Sequence, residues 1–300
     1  MTPSRATAAV SWTLRNSAVS TEASVAVRSC RVTPRGEDDH TRAIPQEVPI
    51  ALVYDGSTYA VMMASPSDLE DFAVGFSLAE GIIASADEIV SLDIMHQDSG
   101  IELRMWLTPD RARNLADRRR RMAGPTGCGL CGVESLEAAM PSCPRVSATL
   151  SVTAEDIADA LAALPAAQAL NHRTRAVHGA AFWTHGHGLV TVAEDVGRHN
   201  ALDKLLGRLR RSDTDPGIGL VLVTSRISVE MVQKAAVAGV PILVAISAPT
   251  GLALETAKQT GITLIAIARQ DGFEVFTHPH RIVGLTPSGA IDGGLTVHAA

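Results

Sequence analysis

A chain of 300 residues with 26 basic and 32 acidic side chains, net charge −6, has the length of about two domains. Its 46% hydrophobic and 19% charged content is ordinary for a globular protein and excludes wholesale disorder. The negative balance argues against a general nucleic-acid binder, and 3% aromatic residues are too few for a base-stacking platform. No apolar run reaches the roughly 18–20 residues of a membrane span. Four cysteines cannot form a disulfide scaffold, which favours a reducing, cytoplasmic setting where a close cysteine pair serves metal binding or reactivity.

Residues 1–43 lack periodicity and are rich in Ser and Thr, with Arg5, Arg15 and Arg28 as basic positions. They read as a flexible N-terminal extension that includes Cys30 as a bystander; transit peptides share this composition. Order is expected from about Pro49, within a small ββαββ unit over residues 44–108. Ile50–Tyr54 and Thr58–Met62 flank Asp55-Gly56 as a hairpin. Ser65 and Asp68 form the pattern of a capping box before Leu69, Phe72, Ala73 and Phe76 at helical spacing, and Gly81 stops that helix. A second hairpin is expected over Ile89–Leu107, turning at Asp98-Ser99-Gly100.

The second part, residues 109–300, opens with a helix over 109–123 that ends in Arg118–Arg121. The four glycines and one proline of Gly124–Gly132 forbid regular structure there. Helices are expected from Glu134 and from Thr153 to about Leu164. Ala180–Thr184 and Leu189–Ala193 flank a turn at His185–Gly188. Apolar runs at Ile218–Thr224, Pro241–Ser247 and Ile262–Ala268 then alternate with helices at Gly197–Arg211, Ser228–Ala238 and Thr250–Gln259. Such alternation predicts buried parallel strands with right-handed crossovers, hence a three-layer α/β domain of order ββαβαβαβ. A frayed tail is expected from Leu285.

Open α/β sheets bind ligands beyond the carboxyl ends of their strands. Three loops leave those ends: Thr224–Ser228, Ser247–Gly251 and Ala268–Gly272. The first two enter helix N-termini, which favour anions. Arg226 and Arg269 add positive charge suited to phosphate, and Asp271 can accept from a guanine. Taken singly, Ser225 and the other hydroxyl residues are explained by helix capping and the arginines by solvation. Taken together, the loops predict a phosphorylated ligand.

Cys128 and Cys131 stand just beyond four arginines, whose charge lowers a thiol pKa and raises the nucleophilic thiolate fraction. Three chemistries fit a bare Cys-x-x-Cys: a persulfide relay, half of a zinc site, and a redox dithiol. Zinc deaminases set a Cys-x-x-Cys on a similar sheet, but no His here has a Glu two residues on, and Cys128 follows Gly127 rather than Pro. Arg198-His199-Asn200 and His178 read equally as packed residues and as contacts to a cofactor or to the cysteine loop.

Ser65–Ile83, Gly127–Glu134, Glu194–Gly207, Thr224–Gly239 and Phe276-Thr277-His278-Pro279 resemble, in order, the formate dehydrogenase accessory sulfurtransferase family, FdhD. The resemblance spans about residues 44–283. It implies a cytidine-deaminase-like core and a cytoplasmic sulfur carrier, usually a homodimer. It also implies that sulfur from a cysteine desulfurase rides as a persulfide on Cys128, with Cys131 as accessory thiol. The acceptor is the molybdenum cofactor in its bis(guanine dinucleotide) form, before insertion into formate dehydrogenase. The implied cofactor segment is Ile267, Ala268, Arg269, Gln270, Asp271 and Gly272, beside Ser225 and Arg226 of the first crevice loop. No tightly bound metal, nucleic acid or membrane is expected. The competing readings are a non-catalytic cofactor chaperone and a structural zinc module.

Overall fold

A computed structural model describes residues 22–122 and 143–285. The cysteine loop with Cys128 and Cys131, and the helix expected from Glu134, lie outside the described residues.

The first elements correct the reading of a flexible extension over residues 24–43; residues 1–21 lie outside the described residues. Strands β1 (Ser24–Thr33) and β2 (Gly36–Pro45) pair antiparallel as a separate two-stranded sheet. Neither face is buried, so the apolar/polar alternation that betrays a strand is absent. The hairpin is held by its backbone ladder, by Arg31 directly opposite Asp38, and by an Arg28–Asp39 ion pair at 3.5 Å.

Next come β3 (Val48–Tyr54), β4 (Ser57–Ala64), α1 (Leu69–Ala79), β5 (Ile89–Gln97) and β6 (Gly100–Leu107). The four strands form a sheet of order β4-β3-β6-β5, with β3 and β6 parallel and both hairpins antiparallel. Positive φ at Asp55 and Gly56 makes the first turn a hairpin-compatible one. Ile50, Leu52, Leu103 and Met105 pack under Phe72 and Phe76 of α1. The expected capping box at Ser65 does not form. Asp68 occupies the N-cap in a left-handed conformation without a side-chain cap, because Ser65 is drawn into a tertiary contact described below.

Then follow α2 (Pro109–Met122), α3 (Ala154–Ala167), α4 (Ala169–Thr174), β7 (His178–Thr184), β8 (Gly188–Asp195), α5 (Arg198–Arg211), β9 (Leu220–Val223), α6 (Val229–Ala238), β10 (Ile242–Ala245), α7 (Gly251–Thr260), β11 (Thr263–Arg269) and β12 (Gly272–Val275). The sheet order is β12-β11-β10-β9-β7-β8. Its parallel centre, β9 to β11, is flanked by antiparallel strands. Successive side chains of each strand go to opposite faces. Phe182, Val221, Leu243 and Leu264 meet Leu202, Met231 and Ala257 of α5, α6 and α7 on one side. Ala181, Leu222, Val244 and Ile265 meet Ile157 and Leu164 of α3 on the other. The three-layer α/β architecture is therefore present, with an antiparallel edge strand, β12, that the apolar runs did not announce.

The two sheets are joined where α1 crosses α5. A Cβ at Gly75 would overlap the Asp203 carbonyl oxygen; one at Gly207 would overlap the Asp71 carbonyl and come within 2.7 Å of Gly75 N. Backbone thus meets backbone, with no flexible side chain to yield. Arg208 and Arg211 clamp the crossing by pairing with Asp71 at 2.7 and 2.5 Å. Gly207→Ala is expected to cost at least the ~3 kcal/mol upper range of core overpacking. A fall in the urea midpoint at unchanged slope checks this; an unchanged midpoint refutes so close a crossing.

Candidate active site at the carboxyl edge of the sheet

The three loops leaving β9, β10 and β11 are tied together by their backbones. Thr250 N–H donates to Ile227 O at 2.9 Å, Ile246 N–H to Val223 O at 3.1 Å, and Ile267 N–H to Ser247 O at 3.4 Å. Because β7 runs antiparallel to β9, its first residue, His178, lies at this edge, and so does the end of β8. Thr224 anchors that side: its N–H donates to Gly179 O, and its hydroxyl accepts from Gly179 N–H.

The residues singled out for a cofactor fall into three kinds. Arg226, Arg269, Gln270, Asp271 and Gly272 are exposed, and neither arginine makes an ion pair among the described residues. Ser225 and Ala268 are buried: the Ser225 hydroxyl donates to Arg226 O at 3.0 Å, and Ala268 packs into the core beneath the sheet. Their backbones line the edge but their side chains face inward. Ile267 is half-buried at φ 52°, inside a bulge where the β11–β12 register shifts. A β-branched residue at positive φ is strained by about 1–3 kcal/mol, a feature that gathers at functional sites. The third loop is the turn of the β11–β12 hairpin.

The helix N-termini at this edge differ. The Thr250 hydroxyl caps α7 by accepting from Ala253 N–H at 3.3 Å. Ser228, at the start of α6, leaves that helix uncapped. Its hydroxyl lies 3.3 Å from His199 Nε2 and also serves the Glu230 carboxylate, which it helps hold below the usual range. A serine hydroxyl has one proton to donate. If it goes to Glu230, His199 carries its proton on Nε2. Burial, and then the Arg198 charge, push His178 and His199 below the ordinary histidine value; Lys234 adds to this at His199. Arg198 Nε is itself buried without a hydrogen-bond partner among the described residues.

Both imidazoles are therefore neutral at pH 7. Below the unfolded-state midpoint of about 6.5 the unfolded chain binds more protons than the folded one, so acid should erode stability from these two sites. NMR titration should place both midpoints below that value. His199→Gln should flatten the fall in urea midpoint between pH 7 and about 5.5. An ordinary His199 midpoint would contradict its burial.

A bracket of buried polar groups holds this edge to the N-terminal unit. Asp195 and Lys204 form an ion pair at 2.6 Å with both side chains fully buried. Lys204 Nζ donates to Ser65 O at 2.9 Å, and Ser65 N–H to Asp195 Oδ2 at 3.0 Å. Asp195 Oδ1 accepts from Gly197 N–H at 2.7 Å and Asn200 Nδ2 at 3.1 Å. Asn200 also donates to Met63 O at 2.9 Å. Glu194 accepts from the N–H groups of Leu170 and Asn171, both at 2.7 Å, at the start of α4. Further along α5, Lys234 of α6 spans both oxygens of buried Asp203 at 2.8 Å. Sequence reading missed Asp195, Lys204, Asp203 and Lys234, because the partners of Lys204 and Asp203 come from other elements.

Of the arginine run, Arg118 donates to Glu80 O at 2.8 Å, while Arg119 donates to Ser57 O at 3.1 Å and lies over the Tyr59 ring. Both fix the end of α2 against the N-terminal unit. Cys143 packs against the main core, and burial raises its pKa. Among the described residues no three His, Cys, Asp or Glu side chains could hold a metal ion, and no helix is long and apolar enough to cross a membrane.

Residues 45–283 match the FdhD/NarQ family. The sulfur carrier protein FdhD of Agrobacterium fabrum is 55% identical over 81% of this chain and 90% of its own. That of Brucella abortus is 52% identical over 83% of this chain and 93% of its own. A solved structure from Desulfotalea psychrophila, described as a formate dehydrogenase accessory protein, superposes with TM-score 0.69 at 27% identity, over 87% of this chain and 100% of its own.

Proposed function

The chain belongs to the FdhD/NarQ family, and from that premise we propose that it is a cytoplasmic sulfur carrier that delivers sulfur to a guanylated molybdenum cofactor. A cysteine desulfurase is the donor, and formate dehydrogenase is the enzyme that receives the cofactor. In the loading step the Cys128 thiolate attacks the outer sulfur of the donor persulfide; the donor thiolate leaves, and Cys128 becomes the persulfide. In release the Cys131 thiolate attacks the inner sulfur. The outer sulfur departs as sulfide to the substrate, and a Cys128–Cys131 disulfide remains for a dithiol reductant to reset. The transfer is the enzymatic part of this reading.

The observation that carries the cofactor half is the sheet edge. Two arginines without ion-pair partners among the described residues, Arg226 and Arg269, stand on loops stitched into one rim with an uncapped helix N-terminus. That is a surface with positive charge and N–H donors to spare, suited to phosphate. Substrate guanine could donate to Asp271 on the same rim. A charged hydrogen bond contributes roughly 1.5–3 kcal/mol, so Arg269→Glu should weaken guanosine diphosphate binding at least about tenfold in calorimetry. Unaltered affinity would remove Arg269 from the site.

The deciding experiment is peptide mass spectrometry after incubation with a desulfurase and cysteine. The peptide containing Cys128 should gain one sulfur atom. Nucleotide binding without any sulfur gain would support a cofactor chaperone instead. One zinc per chain with unfolding by chelator would support a structural metal module.

A further inference from the structure

The β1–β2 hairpin is an arm. From Arg28 to Arg42 every residue except Thr33 is exposed, and its main contact with the body is β2 against α4. A hairpin with water on both faces is marginal by itself. An unpaired strand edge is also a template for another chain. Proteins commonly blunt such edges with bulges, prolines or charged side chains. Here the ladder runs through ten uninterrupted residue pairs, and β2 has no proline before its last residue, Pro45. Its outer edge has no strand partner among the described residues.

The charges of β2 specify what fits there. Asp38, His40 and Arg42 share one face, with opposite charges placed symmetrically about His40. When an antiparallel strand pairs with its own copy about a two-fold axis, one residue must face itself. Centred on His40, Asp38 faces the copy's Arg42 and Arg42 faces the copy's Asp38, giving two equivalent ion pairs. Centring on Asp38 or Asp39 sets an acid against itself; centring on Thr41 or Arg42 sets base against base. Along β1, centring on Ser29 opposes Arg28 to Cys30 and Val27 to Arg31, with no ion pair. Register is thus set by charge, as directly opposed pairs require.

We propose that β2 is a pairing edge for a second copy of this chain, forming a four-stranded sheet across two molecules centred on His40. The arm precedes residues 45–283, so the pairing does not follow from the family match.

Because the family resemblance already implies a homodimer, a dimer alone does not test the edge; sedimentation velocity on the full chain at neutral pH should show tighter or larger assembly for the wild type than for Arg42→Asp. Arg42→Asp lies opposite Val27 within its own hairpin, so the intrachain pairs persist while two like-charge contacts replace the ion pairs. It should raise the dissociation constant by about tenfold or more. His40→Cys, under mild oxidation, should give a disulfide between two copies of the introduced thiol, mapped by peptide mass spectrometry; Thr41→Cys, facing Asp39 of the copy, should not. A monomeric wild type, an Arg42→Asp dimer of undiminished affinity, or no His40→Cys cross-link would each overturn the pairing.

Discussion

Lys204→Met should lower the unfolding free energy by about 3–5 kcal/mol, because it leaves the Asp195 carboxylate buried with no opposing charge. The pair is fully enclosed, so water cannot take the place of the missing ammonium. Ser65 O would lose its donor at the same time. Adding Asp195→Asn should recover part of the loss, since the amide carries no charge and its one oxygen keeps one of the two backbone donors, Ser65 N–H on Oδ2 or Gly197 N–H on Oδ1. The single variant should also close part of its deficit as pH falls, since an unpartnered buried carboxyl is stabilised by taking up a proton. Urea unfolding at neutral and acidic pH reads all three effects. A loss under about 1 kcal/mol would mean that the pair is not desolvated as the fold implies. The consequence extends to function, because the same bracket sets the start of α5, and with it Arg198 and His199, at the sheet edge.

How much of this was legible in the sequence depends on what buried each element. Leu220–Val223, Ile242–Ala245 and Thr263–Arg269 announce themselves because both faces of those strands are covered, leaving continuous apolar runs. Once they are known to be parallel, topology alone directs attention to one edge. Strands β1 and β2 leave no such trace because neither face is buried. β12 is short, and only Phe273 and Val275 alternating around Glu274 hint at it. Ser65 and Asp68 carry a genuine capping pattern, but a partner 130 residues away outcompetes the local one. Lys204 and Asp203 look like solvated positions when α5 is read alone, since the groups that neutralise them come from β8 and α6. Ser225 suits a phosphate loop by residue type, yet its hydroxyl is occupied by Arg226 O. Helical and strand periods report one element at a time, whereas these pairings depend on two.

Cys128→Ala should abolish sulfur loading and reduce formate dehydrogenase activity in cells to background, because alanine offers no thiolate to attack the donor persulfide. Cys131→Ala should behave differently: the loading nucleophile remains, but the attack on the inner sulfur is lost, so loaded protein accumulates while delivery fails. In the sequence, the arginines that end α2 precede both cysteines. Arg118 and Arg119 are pinned to Glu80 O and Ser57 O, which fixes their charge near the start of the segment that carries the cysteines. Neither substitution touches the rim of Arg226 and Arg269, so guanosine diphosphate affinity should stay at the wild-type value. Arg269→Glu should do the reverse, loading sulfur normally and binding nucleotide poorly. Measuring both quantities on the three variants separates carriage from docking. Full activity of Cys128→Ala with intact nucleotide binding would leave a cofactor chaperone, and loss of both together would trace the defect to folding.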